Sequence, residues 1–281
     1  VDIVLTSNVS IALTADGEVF TWGEGSAAAG QGDLAGAPTC LDPQNLTSPF
    51  PLRVPLIETP RKVAGLSNIV AIATLRGRDS VSAIDAAGNL YQWGAAFLDA
   101  NGRAISSSRP RLVSVPGTLT KIAGGPGMYF GITRGGRVAT WWVEAQPIFE
   151  GVSPEALPTL TQPRLLAGVS DVIDLATDIF GGTLALGADG RVMVWGQWRR
   201  PNSGQFLTLT PRSANDYAVV DSTAPNSNRR LPRIVRLTVL GGYATALGAD
   251  GLSYRFIPGT AQGVAPYWEV NAVYARVPSP F

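Results

Sequence analysis

Short apolar runs broken by turn residues set the rhythm of this chain, and one rhythm recurs. Residues 11–23 read IALTADGEVFTWG and residues 184–196 read LALGADGRVMVWG. Further versions stand at 82–94 (SAIDAAGNLYQWG), 130–142 (FGITRGGRVATWW) and 245–256 (TALGADGLSYRF). The copies align on the glycines Gly17, Gly88, Gly136, Gly190 and Gly251. Four positions earlier stands an aliphatic residue: Leu13, Ile84, Ile132, Leu186 or Leu247. Five positions earlier stands a small one: Ala12, Ala83, Gly131, Ala185 or Ala246. Five positions after the glycine comes a large aromatic: Trp22, Trp93, Trp141, Trp195 or Phe256. Self-similarity of this kind is the signature of a repeat architecture.

Each copy predicts a β-hairpin, at 9–23, 80–94, 128–142, 182–196 and 243–256. The Asp-Gly steps at 16–17, 189–190 and 250–251 favour tight turns whose twist matches paired strands. In EVFTW, Phe20 and Trp22 point one way and Val19 the other; in RVMVW, Met193 and Trp195 oppose Val192 and Val194. Apolar residues on both faces call for cover on both faces, as when each sheet lies between two neighbours. Upstream of the hairpins run proline-tagged segments, FPLRVPL (50–56), RPRLVSVPG (109–117), QPRLLAGV (162–169) and LPRIVRL (231–237), and apolar strands such as NIVAIAT (68–74) and DVIDLAT (171–177). Four strands per repeat, five times over, predict an all-β, five-bladed β-propeller of four-stranded antiparallel sheets in a single domain, 1–281. The first copy lacks a proline-tagged strand ahead of it. The tail at 265–281, with VYARVPSP at 273–280, is expected to supply it beside residues 1–5, closing the ring by pairing the N- and C-terminal strands.

The pattern small-Leu-x-x-x-Gly-x-x-x-x-Trp-Gly resembles the regulator of chromosome condensation repeat, once per blade over nearly the whole chain. Trp22-Gly23, Trp93-Gly94 and Trp195-Gly196 keep the terminal pair, and GQGD at 30–33 echoes the glycine-rich stretch that follows it in that family. The family's histidine position holds Val9, Ser80, Met128, Gly182 and Tyr243; copy three ends in Trp141-Trp142 and copy five in Phe256. Family members usually have seven blades. The resemblance implies a rigid propeller that presents loops to a protein partner, in a divergent member of bacterial, extracellular type.

Composition narrows the chemistry. The 281 residues are 45% hydrophobic and only 15% charged, with 32 glycines and 21 prolines, which suits short strands and many turns. A net charge of +1 advertises no nucleic-acid surface, and no apolar run approaches the roughly 20 residues of a membrane helix. Histidine is absent, which removes the commonest general base and metal ligand, and Cys40 is the only cysteine. No metal, cofactor or enzymatic activity is expected. Asp79, Asp171, Asp174 and Asp178 lie nearer strands than turns, and no carboxylate pair for glycoside hydrolysis can be read among them. Of two glycosylation sequons, Asn45 in a long loop is the reasonable acceptor and Asn8 lies beside a repeat strand.

The repeat glycines and aromatics are read as structural: turns and blade-to-blade packing. Function is sought where the repeat breaks. Blades of about 56 residues exceed the roughly 40–45 that four-stranded propeller repeats need, and the surplus falls at 24–49, 95–108, 143–161 and 197–230. Such insertions gather on one face, often the binding face. The last of them carries Trp198, Arg199, Arg200, Tyr217, Arg229 and Arg230, and Tyr267-Trp268 forms a second off-register pair. Trp and Arg are enriched at interface hot spots, so these residues are the candidate partner-binding set; the same rings would also serve to cover their own loops. The first expectation is a non-enzymatic protein-binding propeller, extracellular or on a cell surface and part of a larger assembly. The alternatives are a carbohydrate-binding lectin with pockets between blades and a GTPase-exchange regulator.

Overall fold

The computed structural model describes residues 2–41, 53–75, 79–98, 104–125, 127–142, 163–178, 181–199, 205–220, 230–240, 243–257 and 266–271. Among them lie twenty-two β-strands, one short 3-10 turn and no α-helix.

The strands form five antiparallel repeats. The first sheet holds β1 (Asp2–Leu5), β2 (Val9–Leu13) and β3 (Val19–Glu24), then β5 (Arg53–Lys62), with β4 (Thr39–Leu41) hairpinned outside β5. The second is β6 (Ile69–Thr74), β7 (Ser80–Asp85), β8 (Leu90–Leu98) and β9 (Ala104–Val113). The third is β10 (Leu119–Gly124), β11 (Met128–Thr133), β12 (Val138–Trp142) and β13 (Arg164–Leu165). The fourth is β14 (Val172–Thr177), β15 (Gly182–Gly187), β16 (Val192–Arg199) and β17 (Gln205–Ser213). In the fifth, β19 (Ile234–Leu240), β20 (Tyr243–Gly248), β21 (Ser253–Ile257) and β22 (Tyr267–Asn271) run in order, and β18 (Ala218–Val220) pairs in parallel outside β22. All five predicted hairpins are present as second and third strands.

The proline-tagged strands are in a different phase from the one expected. Three of the four close the sheet before them rather than opening the sheet after: β5 pairs with β3, β9 with β8 and β13 with β12. The recurring tag is a Pro-Arg step, at Pro60-Arg61, Pro110-Arg111, Pro163-Arg164 and Pro211-Arg212. In β17 this puts Arg212 opposite Val194, so the fourth sheet is closed by TPRS (210–213). LPRIVRL supplies the inner strand β19 instead. In the first, second and fourth sheets, Pro60, Pro110 and Pro211 sit at the bulge that interrupts the outer pairing, where no ladder donor is lost. The first sheet is therefore complete without the tail. Tyr267–Asn271, the described part of the proposed closing segment, is the fourth strand of the last sheet, and 272–281 lie outside the described residues.

The chain divides into two compact units: Val1–Arg134 with Ala139–Leu165, and Gly135–Val138 with Leu166–Phe281. In the first unit, Val9, Ile11, Leu13 and Val19 of sheet one pack with Ile72, Val81, Ala83 and Trp93 of sheet two. The other side of sheet two, through Ala73, Leu75, Ile84 and Leu90, packs with Leu119, Ile122, Tyr129, Ala139 and Trp141 of sheet three. In the second unit, Leu184, Leu186, Val192 and Val194 pack with Leu237, Ala246, Tyr254, Phe256 and Trp268. These sheets are covered on faces that the alternation predicted to be apolar.

The repeat glycine does two jobs. Gly17 has φ of +76° in its turn, which L side chains adopt at a cost. Its carbonyl also accepts the Ile69 amide at 3.0 Å, and a Cβ there would stand 2.9 Å from Asn68 Cα. The same contact recurs where Gly88 receives the Leu119 amide, and within the second unit where Gly136 receives Val172. The turn of one repeat thus docks the first strand of the next by backbone contact.

Candidate partner-binding face

In an antiparallel four-stranded sheet, the first-to-second and third-to-fourth connections leave at one end and the second-to-third at the other. The Asp-Gly turns occupy the second end. The long third-to-fourth connections, after β3, β8, β12, β16 and β21, leave every sheet at the first end. The third-to-fourth connections therefore share an end of their sheets, whereas the segment that follows β17 starts at the turn end, where Asn215 accepts from the Val192 amide and donates to Gly190 O.

The described part of the first connection is a clamp. Ser26 caps the 3-10 turn Ala27–Ala29, accepting from the Ala28 amide. The turn lies over the second sheet: the Trp93 indole Nε1 donates to Ala28 O at 2.8 Å, while Thr21 Oγ1 donates to Ala29 O at 2.7 Å. A Cβ at Gly30 would meet the Trp93 ring at 2.8 Å, and the Gly32 amide donates to Ser108 O. The GQGD stretch thus seats the connection on the neighbouring indole.

The second and fourth connections are β-ribbons prolonged beyond the Trp-Gly step. Phe97 pairs with Ile105, Trp198 with Phe206 and Arg199 with Gln205. Much of the expected 95–108 and 197–230 insertions is therefore strand. Trp198 and Arg199 stand near the tip of the ribbon, while Arg200 and Arg229 lie outside the described residues. Arg230 is exposed.

The remaining candidates are not assembled with them. Trp268 is fully buried, so it is corrected from a partner-binding to a packing residue. Its indole Nε1 donates to Ala214 O at 2.8 Å and its ring meets Phe256 edge-on at 5.4 Å. Tyr217 is half-buried and packs on the same cluster, 5.8 Å from the Phe256 ring, and Tyr267 is half-buried in β22 beside it. The logic is substitution. Phe256 occupies the repeat tryptophan position without an N–H, and Trp268, its direct cross-strand partner, supplies the indole donor to the preceding sheet. Of the structural set, Trp93, Trp141, Trp195 and Phe256 are buried, whereas Trp22 is half-buried.

Carboxylates near the strands serve the backbone. Asp174 accepts from the amides of Leu175 and, across sheets, Leu237 at 2.7 Å; Asp178 accepts from Gly182. At the turn end, burial pushes the Asp85 carboxyl up, but hydrogen bonds from Asn89, Ala87 and Tyr91 outweigh it and hold it below the usual carboxylate value. A cavity of about 420 Å³ opens beside it, lined by Asn89, Leu90, Leu112, Val113 and Thr118. Among the described residues no group of three or more acidic, cysteine or histidine side chains is placed to hold a metal, and no helix is long and apolar enough to cross a membrane.

Five four-stranded antiparallel repeats, with the glycine docking bond recurring at Gly17, Gly88 and Gly136 and an indole clamp at Trp93 and Trp268, make a propeller-type repeat protein. Its repeat and its fold fit a β-propeller of the regulator of chromosome condensation repeat type. No family model matches the sequence. It is 29% identical over 272 residues to the protein pim1 of Schizosaccharomyces pombe, covering 90% of this chain and 46% of pim1. Its fold is similar to Prp20p of Saccharomyces cerevisiae, a structure reported with that protein's binding properties to Gsp1p and histones. There the TM-score is 0.62 with 20% identity, over 97% of this chain and 64% of Prp20p. Human WBSCR16 matches with a TM-score of 0.56 and 18% identity, over 84% of this chain and 55% of that one. The chain thus spans about half to two-thirds of the length of these relatives.

Proposed function

We propose that this chain is a non-enzymatic protein-binding propeller, an interaction or assembly module that works extracellularly or on a cell surface. The observation that carries the reading is topological: the third-to-fourth connections leave every sheet at the end opposite the repeat turns. Within each sheet, irregular connections held at one end of a paired β scaffold are suited to presenting loops. The binding of Prp20p to Gsp1p and histones supports a protein partner. It also keeps a second reading in view, a GTPase-exchange regulator. A carbohydrate-binding reading draws less support, because the off-register aromatics Tyr217 and Trp268 pack on the fifth sheet's core instead of recurring blade by blade.

The ribbon tip of β16 is the proposed contact. Trp198→Ala combined with Arg199→Ala is expected to weaken capture of the native partner in a pull-down from the source organism by roughly tenfold or more, as truncated hot spots do. The melting temperature is expected to stay unchanged. Unaltered capture would remove these two residues from the site.

A further inference from the structure

The repeat fixes which face of each sheet must be covered, and on one sheet that face is open. In sheets two to five the first-strand residue paired with the small residue of the motif is Ile72, Ile122, Leu175 or Leu237, and all four are buried. Its counterpart in sheet one is Ile3, paired with Ala12, and it is 61% exposed. Leu5, paired with Ser10 on the same face, is 64% exposed. Across the sheet, Ala12 pairs with Phe20 and Ser10 with Trp22. Ile3, Leu5, Phe20 and Trp22 therefore share one face, and the two aromatics are only half-buried. Trp22 is the one repeat indole that is not enclosed.

We propose that this face of the first sheet binds a second copy of the chain, face to face about a twofold axis. Three observations select that occupant. The face carries aliphatic and aromatic side chains at its centre and charge only at its rim, where Lys62, opposite Phe20, is paired with Glu18. That is the anatomy of a self-complementary interface. The chain's net charge of +1 sets no electrostatic barrier between copies. Head-to-tail stacking of copies in the repeat's own sense is disfavoured by the chemistry of the last sheet. There Arg255 of β21, paired with Glu269 at 2.6 Å and lying 4.8 Å over the Tyr243 ring, stands at the position where sheets one and four place Thr21 and Val194. Setting that pair against Ile3 and Leu5 would desolvate charges without new partners, whereas like against like buries only apolar surface.

Sedimentation velocity on the 281-residue chain, from dilute to concentrated solution, tests the proposal. The wild type is expected to sediment as a concentration-dependent dimer. Ile3→Asp with Leu5→Asp is expected to raise the dissociation constant by at least about tenfold without altering the circular dichroism spectrum. Ile3→Ser with Leu5→Ser is the milder variant should the first not fold. Val70→Asp, an exposed aliphatic of the second sheet off this face, is expected to leave the dimer intact. A monomer at every concentration overturns the proposal, as does a dimer that survives in both double variants. Dissociation by Val70→Asp removes the assignment to this face. A monomer destabilised by the serine pair would show instead that the face is covered from within the chain.

Discussion

Single residues decide how tightly neighbouring sheets are joined. Trp268 is the clearest case, because its indole both fills space against Phe256 and satisfies the Ala214 carbonyl. Trp268→Phe leaves that buried carbonyl without its donor and should cost about 1–3 kcal/mol. Trp268→Ala adds a cavity and should cost about 3–5 kcal/mol. Urea denaturation measures both, and equal stabilities would mean the hydrogen bond contributes nothing. Tyr129 makes a second joint, stacking on Trp141 at 5.6 Å and donating to Ser80 Oγ of the adjoining sheet. Burial holds its phenol neutral and pushes its pKa upward. A raised folded pKa gives stability that is complete below the unfolded value of about 10 and is lost as pH rises beyond it. The wild type should therefore weaken in alkali above about pH 10, and Tyr129→Phe should show less of that loss, as read from denaturation midpoints across the alkaline range.

At the scale of the element, the hairpin is what the sequence spelled most plainly. Asp-Gly steps, period-two alternation and a tryptophan at constant distance are local signals, and each corresponds to a second and third strand. The phase of the outer strand was not legible in the same way. Leu231-Pro232-Arg233 looks like the other proline tags, yet it precedes an inner strand, while Pro211-Arg212 inside a presumed loop is the true member of the series. The discriminating feature is the partner, Val194 opposite Arg212, which a single strand cannot announce. Trp268 was misread for a related reason: it looks surplus until Phe256, lacking an N–H, is seen to need a neighbour's indole. The partner-binding residues were least legible, since the connections carrying them obey no repeat. The glycine at the hairpin offers a test separating its two roles. Gly17→Ala meets both a positive φ and the Asn68 backbone, whereas Gly36→Ala, at φ of +78°, meets only the dihedral penalty in open space. The latter should cost about 1–2 kcal/mol and the former clearly more, measured by thermal denaturation; equal costs would dismiss the docking role.

At the scale of the whole molecule, five copies of one unit recur, a first strand, a hairpin and an outer strand, with an indole clamp at Trp93 and Trp268. The units differ where function is proposed, in the third-to-fourth connections, and where the repeat is left uncovered, at Ile3 and Leu5. Amide hydrogen exchange, followed residue by residue on the full chain, tests the shared architecture most directly. The account predicts five separate clusters of slow exchange, centred on β2, β7, β11, β15 and β20, because each of these strands is paired on both sides. Rapid, unprotected exchange along any one of those five strands would contradict it.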